Sequence, residues 1–381
     1  MNNRNERNER KQRNERRGLR PLAFVAALAA AVACSSVLMP SAFAQGKSFT
    51  VGYFPAGTLS WPVIIAKKKG LHAKHLPAGT TINWDLQVVG PPIVNNMLAG
   101  KTDVGYFADF PAIVAATKRD LQDIRVVATN NWSAGQLCRV LLVRSDAPQF
   151  NSPTEALKWL NGKTVALTKG TCMDRFFSFL QEKEGVKAEV LYQTPEIIAT
   201  SLRAKKVDAA LLFGAHIGQV TTRGIARVAL TGTHWGFPDG TFVVMRKAFI
   251  DSQRAAAKGF LKAEIEALRF MAENPEETIK IVAEELPGVT KRELWNSLYA
   301  RFPVASGASE VNLVVKLALD DEVRRLMDDG VKFLHERKVV NVSTLPEGTL
   351  YDELINELLR EMKITPPLVT IKALPMNPFN D

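Results

Sequence analysis

The same strand–turn–helix unit occurs twice in this chain, and that duplication constrains the fold more than any other feature. Phe49–Phe54 is an apolar strand that runs into Gly57-Thr58 and a helical stretch ending at Gly70; Thr164–Thr168 runs into Gly170-Thr171 and a helical stretch ending at Gly185. Each unit is followed by an apolar-Ala-x-Lys-x-Asp signature that opens another strand, Met97–Phe107 in the first copy and Leu202–Leu212 in the second. Asp103 and Asp208 are 105 residues apart and the Gly-Thr pairs 113 apart, too long a period for a solenoid. The pattern predicts two similar α/β lobes, each presenting a Gly-Thr turn at a helix start.

Strands and helices alternate through both copies, at Thr81–Val89, Ile93–Ala99, Val104–Phe107, Ile124–Thr129, Leu137–Val143, Ala188–Tyr192, Pro195–Ala204, Ala209–Phe213 and Ala226–Leu230. Such alternation predicts mostly parallel sheets with helices on both faces, and in open α/β sheets ligands sit beyond the carboxyl ends of the strands. The polar, aromatic segments Trp132–Gln136 and Trp235–Gly240 read as two crossings between lobes. They divide the chain into lobe one at 46–133 plus 237–381 and lobe two at 134–236. After the strand Thr241–Met245 the pattern is helical, with candidates at Ala255–Ala272, Pro275–Glu285, Lys291–Tyr299 and Ser309–Glu336, before a Pro-rich tail expected to wrap the surface.

The net charge of +10 is shared evenly: residues 1–45 carry +5 and the remainder, with 41 basic and 36 acidic residues, another +5. No basic run interleaved with aromatics suggests a nucleic-acid face. Residues 1–45 read as an export signal, with an Arg-rich, disordered head to Arg20, an apolar block from Pro21 to Met39, and Ala42-Phe43-Ala44 as the small-x-small site, cleaved after Ala44. A twin-arginine reading at Arg16-Arg17 and a lipoprotein reading at Cys34 fit less well. Export permits a disulfide between Cys138 and Cys172, and two separate buried thiols are an equal alternative.

Gly57-Thr58 and Gly170-Thr171 head the candidate site residues. A helix start offers free N–H groups and a positive dipole end, and glycine allows close approach. The competing reading is a plain turn with a threonine N-cap; the matched pair favours a small, anionic ligand. Trp61, Phe107, Phe110, Trp132, Trp235 and Phe237 lie at or beyond strand ends, where aromatic walls exclude water. Asp109, Asp174, His216 and His234 are the other chargeable candidates, with Lys169 and Arg175 flanking the second turn; each also reads as a solvated loop charge. The five histidines and scattered cysteines have no metal-ligand spacing, and no nucleophile elbow, Walker loop or dinucleotide fingerprint is present. No catalytic residue, metal or cofactor is expected.

On Phe49–Phe54 with Gly70-Leu71, Met97–Gly105, Asn161–Ala166, Lys169-Gly170-Thr171 and Leu202–Leu211, the chain resembles the periplasmic substrate-binding proteins of nitrate/sulfonate/bicarbonate (taurine) ABC transporters. The resemblance covers roughly residues 48–340. It implies a type II two-lobe fold that closes on a solute and docks on an ABC permease in the inner membrane, working as a monomer in the periplasm. It places ligand contacts at Thr58, Leu59, Ser60 and Trp61, at Ala108, Asp109 and Phe110, at Asn131 and Trp132, at Gly170, Thr171, Cys172 and Met173, and at His234, Trp235 and Phe237. Many relatives carry Trp-Asp/Glu-Pro where this chain has Gly214-Ala215-His216, which argues against a standard sulfonate or nitrate pocket. The expected function is capture of a small polar or anionic organic solute. The alternatives are an enzyme of the pyrimidine-precursor synthase type, whose Cys-rich motif is absent, and a ligand-binding sensor component.

Overall fold

The duplicated aspartates of the two signatures perform the same task in two separate sheets. Asp103 accepts a hydrogen bond from Thr50 N at 2.9 Å and donates its own N–H to Thr50 O at 2.8 Å. Asp208 accepts from Thr164 N at 3.1 Å and donates to Thr164 O at 2.9 Å. Each aspartate thereby pins the start of the strand carrying the Gly-Thr turn, which sets where that turn emerges.

The computed structural model describes residues 47–118 and 123–381; the export-signal readings, including Ala44 and Cys34, lie outside the described residues. Twelve strands form two sheets among the described residues. They are β1 (Ser48–Tyr53), β2 (Thr81–Leu86), β3 (Val104–Ala108), β4 (Ile124–Ser133), β5 (Val140–Arg144), β6 (Thr164–Leu167), β7 (Glu189–Tyr192), β8 (Ala209–Leu212), β9 (Ala226–Thr231), β10 (Asp239–Arg246), β11 (Val311–Val315) and β12 (Val369–Lys372). The seven-stranded sheet has the order β12-β11-β4-β10-β3-β1-β2, and the five-stranded sheet β7-β6-β8-β5-β9.

Strand pairing is mixed, where the alternation alone predicts mostly parallel sheets. β1 pairs in parallel with β2 and β3, and β6 with β7 and β8; the other pairings are antiparallel. The cause is the pair of crossings. β5 is the first strand after the outward crossing and β10 the first after the return, so each enters its sheet from the opposite end and runs against its neighbours. β10 lies between β3 and β4, and β5 between β8 and β9. The carboxyl ends of β1, β3, β4, β6, β8 and β9 and the amino ends of β5 and β10 therefore share one level, where the cleft lies.

A second correction concerns Ser309–Glu336. Val311–Val315 is a strand paired with β4 and β12, and the helix begins only at Asp321, N-capped by Asp320. The valine-rich run Val311–Val315 takes the strand once Val369–Lys372 of the Pro-rich tail supplies an edge partner.

The seven-stranded sheet and its helices share one core that includes Phe49, Val51, Tyr106, Phe242 and Phe260. The five-stranded sheet buries both faces. Along β5, Leu141 and Val143 pack toward Phe176 and Phe177, while Val140 and Leu142 pack toward Ile198 and Leu202. No helix among the described residues is long and apolar enough to cross a membrane.

Candidate functional site

Both Gly-Thr turns line one cavity of about 60 Å³. The first sheet contributes Phe54, Gly57, Thr58 and Leu59 after β1, Val89–Pro91 after β2, and Phe107, Ala108 and Thr241; the second contributes Leu137, Cys138, Thr171–Met173, Phe213 and Gly214. The walls are chiefly carbon, and no charged side chain lines this space. Its polar groups are threonine hydroxyls and the backbone of the two turns.

Each turn is held by its own surroundings. Ser60 Oγ accepts from Phe54 N at 3.2 Å, the buried Trp61 ring donates Nε1–H to Pro55 O at 3.0 Å, and Asn130 Nδ2 donates to Leu59 O at 2.7 Å. On the other side Thr171 Oγ1 donates to Thr168 O at 2.7 Å. Asp174 accepts from Gly170 N at 3.0 Å and from the Tyr192 hydroxyl at 3.0 Å, so it braces the helix Cys172–Lys183. The first N–H groups of that helix, at Cys172 and Met173, and those of Thr58 and Leu59 start turns at the cavity wall, where a helix leaves its donors without internal partners, while Ser60 N donates to Gly57 O at 2.9 Å.

The charged groups nearest the cavity are engaged with each other. Asp109, 1% exposed, accepts from Arg139 Nη2 at 3.0 Å and Arg175 Nη1 at 2.5 Å. Arg139, 0% exposed, also donates to Asp239 Oδ1 at 2.8 Å and to the Pro238 carbonyl. Asp239 Oδ2 accepts from Leu137 N at 2.8 Å, Cys138 N at 3.2 Å and Ser133 Oγ at 3.2 Å. The Phe237 ring lies 4.4 Å from the Arg139 guanidinium and 5.5 Å from that of Arg175. Burial holds the Arg175 pKa below the ordinary arginine value, against the attraction of Asp109. Asp109 belongs to the first sheet and both arginines to the second, so the network ties the sheets together and joins the two crossings.

Cys138 and Cys172 are joined in a disulfide, with Cα atoms 6.0 Å apart, which settles the alternative between a bridge and two thiols. The bridge ties the start of β5 to the second turn across 34 residues of sequence. Replacing both cysteines with serine is expected to lower the unfolding free energy by about 3–4 kcal/mol, measured by urea denaturation without reductant. An unchanged midpoint would show that the bridge adds no stability.

Comparison with known proteins follows the same architecture. The model of the NMT1-like family matches residues 44–286. The chain belongs to the NMT1-like family. A protein of Brucella abortus (strain 2308) named as a binding protein is 27% identical over 264 residues, 67% of this chain and 77% of that one. The taurine-binding periplasmic protein of Escherichia coli K12 is 22% identical over 244 residues, 62% of this chain and 70% of its own. The periplasmic aliphatic sulphonate binding protein SsuA from Escherichia coli shares the fold, with TM-score 0.65 at 20% identity over 80% of this chain and 92% of that one.

Around this cavity of the NMT1-like protein the sequence candidates separate into groups. Thr58, Leu59, Ala108, Thr171, Cys172 and Met173 line the cavity. Ser60 and Trp61 stand behind the first turn, Gly170 and Asp174 behind the second, and Asp109 is inside the ion network. Phe110 is buried in the first core. Asn131 is buried with neither amide atom hydrogen-bonded, and Trp132 packs under Lys316, whose Nζ lies 4.5 Å from its ring. Trp235 and Phe237 pack against Phe179, at 6.2 and 5.1 Å between centroids, and His234 is exposed at the edge of Trp235. Lys169 lies over the Tyr192 ring at 5.4 Å. His216 lies in a separate, outer cavity. The cavity residues that sequence reasoning missed are Phe54, Val89, Gly90, Pro91, Pro111, Leu137, Phe213, Gly214 and Thr241. Among them Phe54 and Phe213, at the ends of predicted strands, and Gly214, in the departure from the family pattern, carried a usable signal. No three metal-ligating side chains converge among the described residues.

Proposed function

We propose that this chain is the exported solute-binding component of an ABC importer. In this reading the lobe at 134–236 closes onto the lobe at 46–133 plus 237–381, hinged at the two crossings, and the monomer delivers its cargo to a permease in the inner membrane. Export would follow cleavage after Ala44. The observation that carries the reading is the single cavity lined by both Gly-Thr turns, one from each sheet. The names of the relatives, which bind taurine and aliphatic sulphonates, support it.

The chemistry of the walls narrows the solute to a small organic anion with an apolar body. Two helix starts and the Thr58 hydroxyl at the cavity provide neutral donors for an acidic head, the Thr171 and Thr241 hydroxyls donating to Thr168 O and Asn130 Oδ1, and helix dipoles favour negative charge there. Phe54, Leu59, Phe107, Met173 and Phe213 supply the apolar remainder. With Arg139 and Arg175 neutralised by Asp109 and Asp239, selection rests on shape and neutral donors, not on a guanidinium clamp.

The test is a thermal-shift screen of the purified protein against aliphatic and aromatic sulfonates, carboxylates, inorganic anions and pyrimidines. A matching organic anion at a hundred times its Kd is expected to raise the melting temperature by on the order of 5 °C. A flat response across the panel would remove the support for this reading.

A further inference from the structure

A second cavity, of about 550 Å³, lies beyond the contact that closes the first. The wall between them is the hydrogen bond from Ala215 N to Ala56 O, at 2.8 Å. Gly57 and Gly214 face the inner space, and Pro55, Ala56 and Ala215 the outer one. The outer volume is within the range of about 300–1,000 Å³ usual for small-molecule sites.

Two helices of the second sheet shape its wall, Pro195–Arg203 and Ala215–Thr222. The first presents Glu196, Ala199, Thr200 and Arg203, and the second His216, Gln219, Val220 and Arg223. Both sets follow the i, i+3, i+4, i+7 spacing of one helix face. The helices lie with their amino ends together, because Glu196 Oε1 is 3.9 Å from His216 Nε2. One end of the cavity therefore carries Glu196 and His216, and the other Arg203 and Arg223. Seven residues at 1.5 Å each separate the ends by about 10 Å. The opposite wall, from the first sheet's side, is mostly apolar, with Leu86 and Val88 58% and 57% exposed, and also carries Gln87 and Glu285.

The charges at the two ends differ in how far they are already satisfied. Arg223 is held by Glu293, at 2.5 Å and 3.1 Å, and Glu285 by Lys67 at 2.9 Å. Among the described residues no carboxylate pairs with Arg203. His216 is 7% exposed, yet its Nε2 has no hydrogen-bond partner. Burial pushes its pKa down, so the ring is neutral at neutral pH and offers no countercharge to Glu196. The cavity thus has one uncompensated cation, one uncompensated anion and a buried polar nitrogen without a partner.

We propose that this outer cavity is a second binding site, for an extended zwitterion with its carboxylate on Arg203 and its ammonium between Glu196 and His216 Nε2. An extended peptide spans about 3.3–3.6 Å per residue, so three residues bridge the two ends. Midway along the two helix faces Thr200 Oγ1, which itself donates to Glu196 O at 3.2 Å, accepts from one amide and Gln219 offers its own amide to another, and the mostly apolar wall covers its side chains.

Trialanine is the probe, with binding to the purified protein followed by calorimetry. Wild-type protein is expected to bind it measurably, and single alanine far more weakly, because alanine cannot span both ends. Arg203→Gln and Glu196→Gln each weaken binding about fivefold, as does acetylation of the peptide's amino terminus, and His216→Gln weakens it further. Arg203 and Glu196 are on the outer face of a helix, so circular dichroism melts of those variants match wild type. The proposal is overturned if trialanine does not bind, or if Arg203→Gln and Glu196→Gln leave its Kd unchanged.

Discussion

Asp109→Asn is expected to lower the unfolding free energy by about 3–5 kcal/mol, a large share of the stability of a protein of this kind. The reason is the fate of the arginines. Asp109 takes one hydrogen bond from Arg139 and one from Arg175, and none of the three side chains is more than 5% exposed. Arg139 keeps Asp239 when Asp109 is neutralised. Arg175 loses the one carboxylate that hydrogen-bonds it among the described residues, keeps only the longer-range attraction of Asp329, and stays packed beside Phe237 and Phe333, whose rings lie 5.5 and 5.6 Å away. A buried cation that has lost its hydrogen-bonded carboxylate does not recover its full hydration, and that desolvation dominates the loss. The double variant Asp109→Asn/Arg175→Met, which removes the stranded charge as well, should regain part of the stability. Urea denaturation of the two variants measures both effects. A single variant within about 1 kcal/mol of wild type would mean that water reaches Arg175 and that the network contributes little.

This network also marks where sequence reading stops. The strand–turn–helix copies were legible because each depends on local signals: an apolar run, a Gly-Thr pair and an aspartate at fixed spacing. The aspartates even share a role, since Asp103 and Asp208 clamp Thr50 and Thr164 in the same manner. Val311–Val315 was not legible as a strand, because this valine-rich run sits beside a long amphipathic helix and its edge partner lies far along the chain at Val369–Lys372. Asp109 and Arg175 each read as isolated loop charges, since 66 residues separate them and only the folded chain brings them together. The apolar wall residues Val89, Pro91, Pro111 and Leu137 are in the same position. In sequence, a hydrophobic residue after a strand looks identical whether it packs in a core or borders a space. The Gly214-Ala215-His216 departure was visible, but its consequence, a backbone contact across the cleft with a histidine beyond it, required the second lobe to be in place.

Gly214→Ala should weaken binding of whichever solute stabilises the wild-type protein by roughly 100-fold. Gly214 has φ +49° and ψ −132°, and a Cβ built there meets Ala56 O at 2.1 Å. The neighbouring Ala215 N–H donates to that same carbonyl. The added methyl therefore opposes the approach that separates the inner from the outer cavity. If, in the proposed closing motion, it raises the closed state by about 3 kcal/mol relative to the open one and only the closed form binds tightly, the apparent Kd rises about 100-fold. Strain at positive φ, on the order of 1–3 kcal/mol, acts on both states and lowers stability without changing affinity. Gly162→Ala separates the two effects: Gly162 has φ +74° with nothing within 4 Å of its would-be Cβ, so it reports strain alone. Calorimetry should show wild-type affinity for Gly162→Ala and the large loss for Gly214→Ala, while small-angle scattering shows a larger radius for the latter in the presence of solute. Equal affinity in the two variants would mean that the Ala56–Gly214 contact is not part of closure, and that the lobes grip their cargo without meeting at this point.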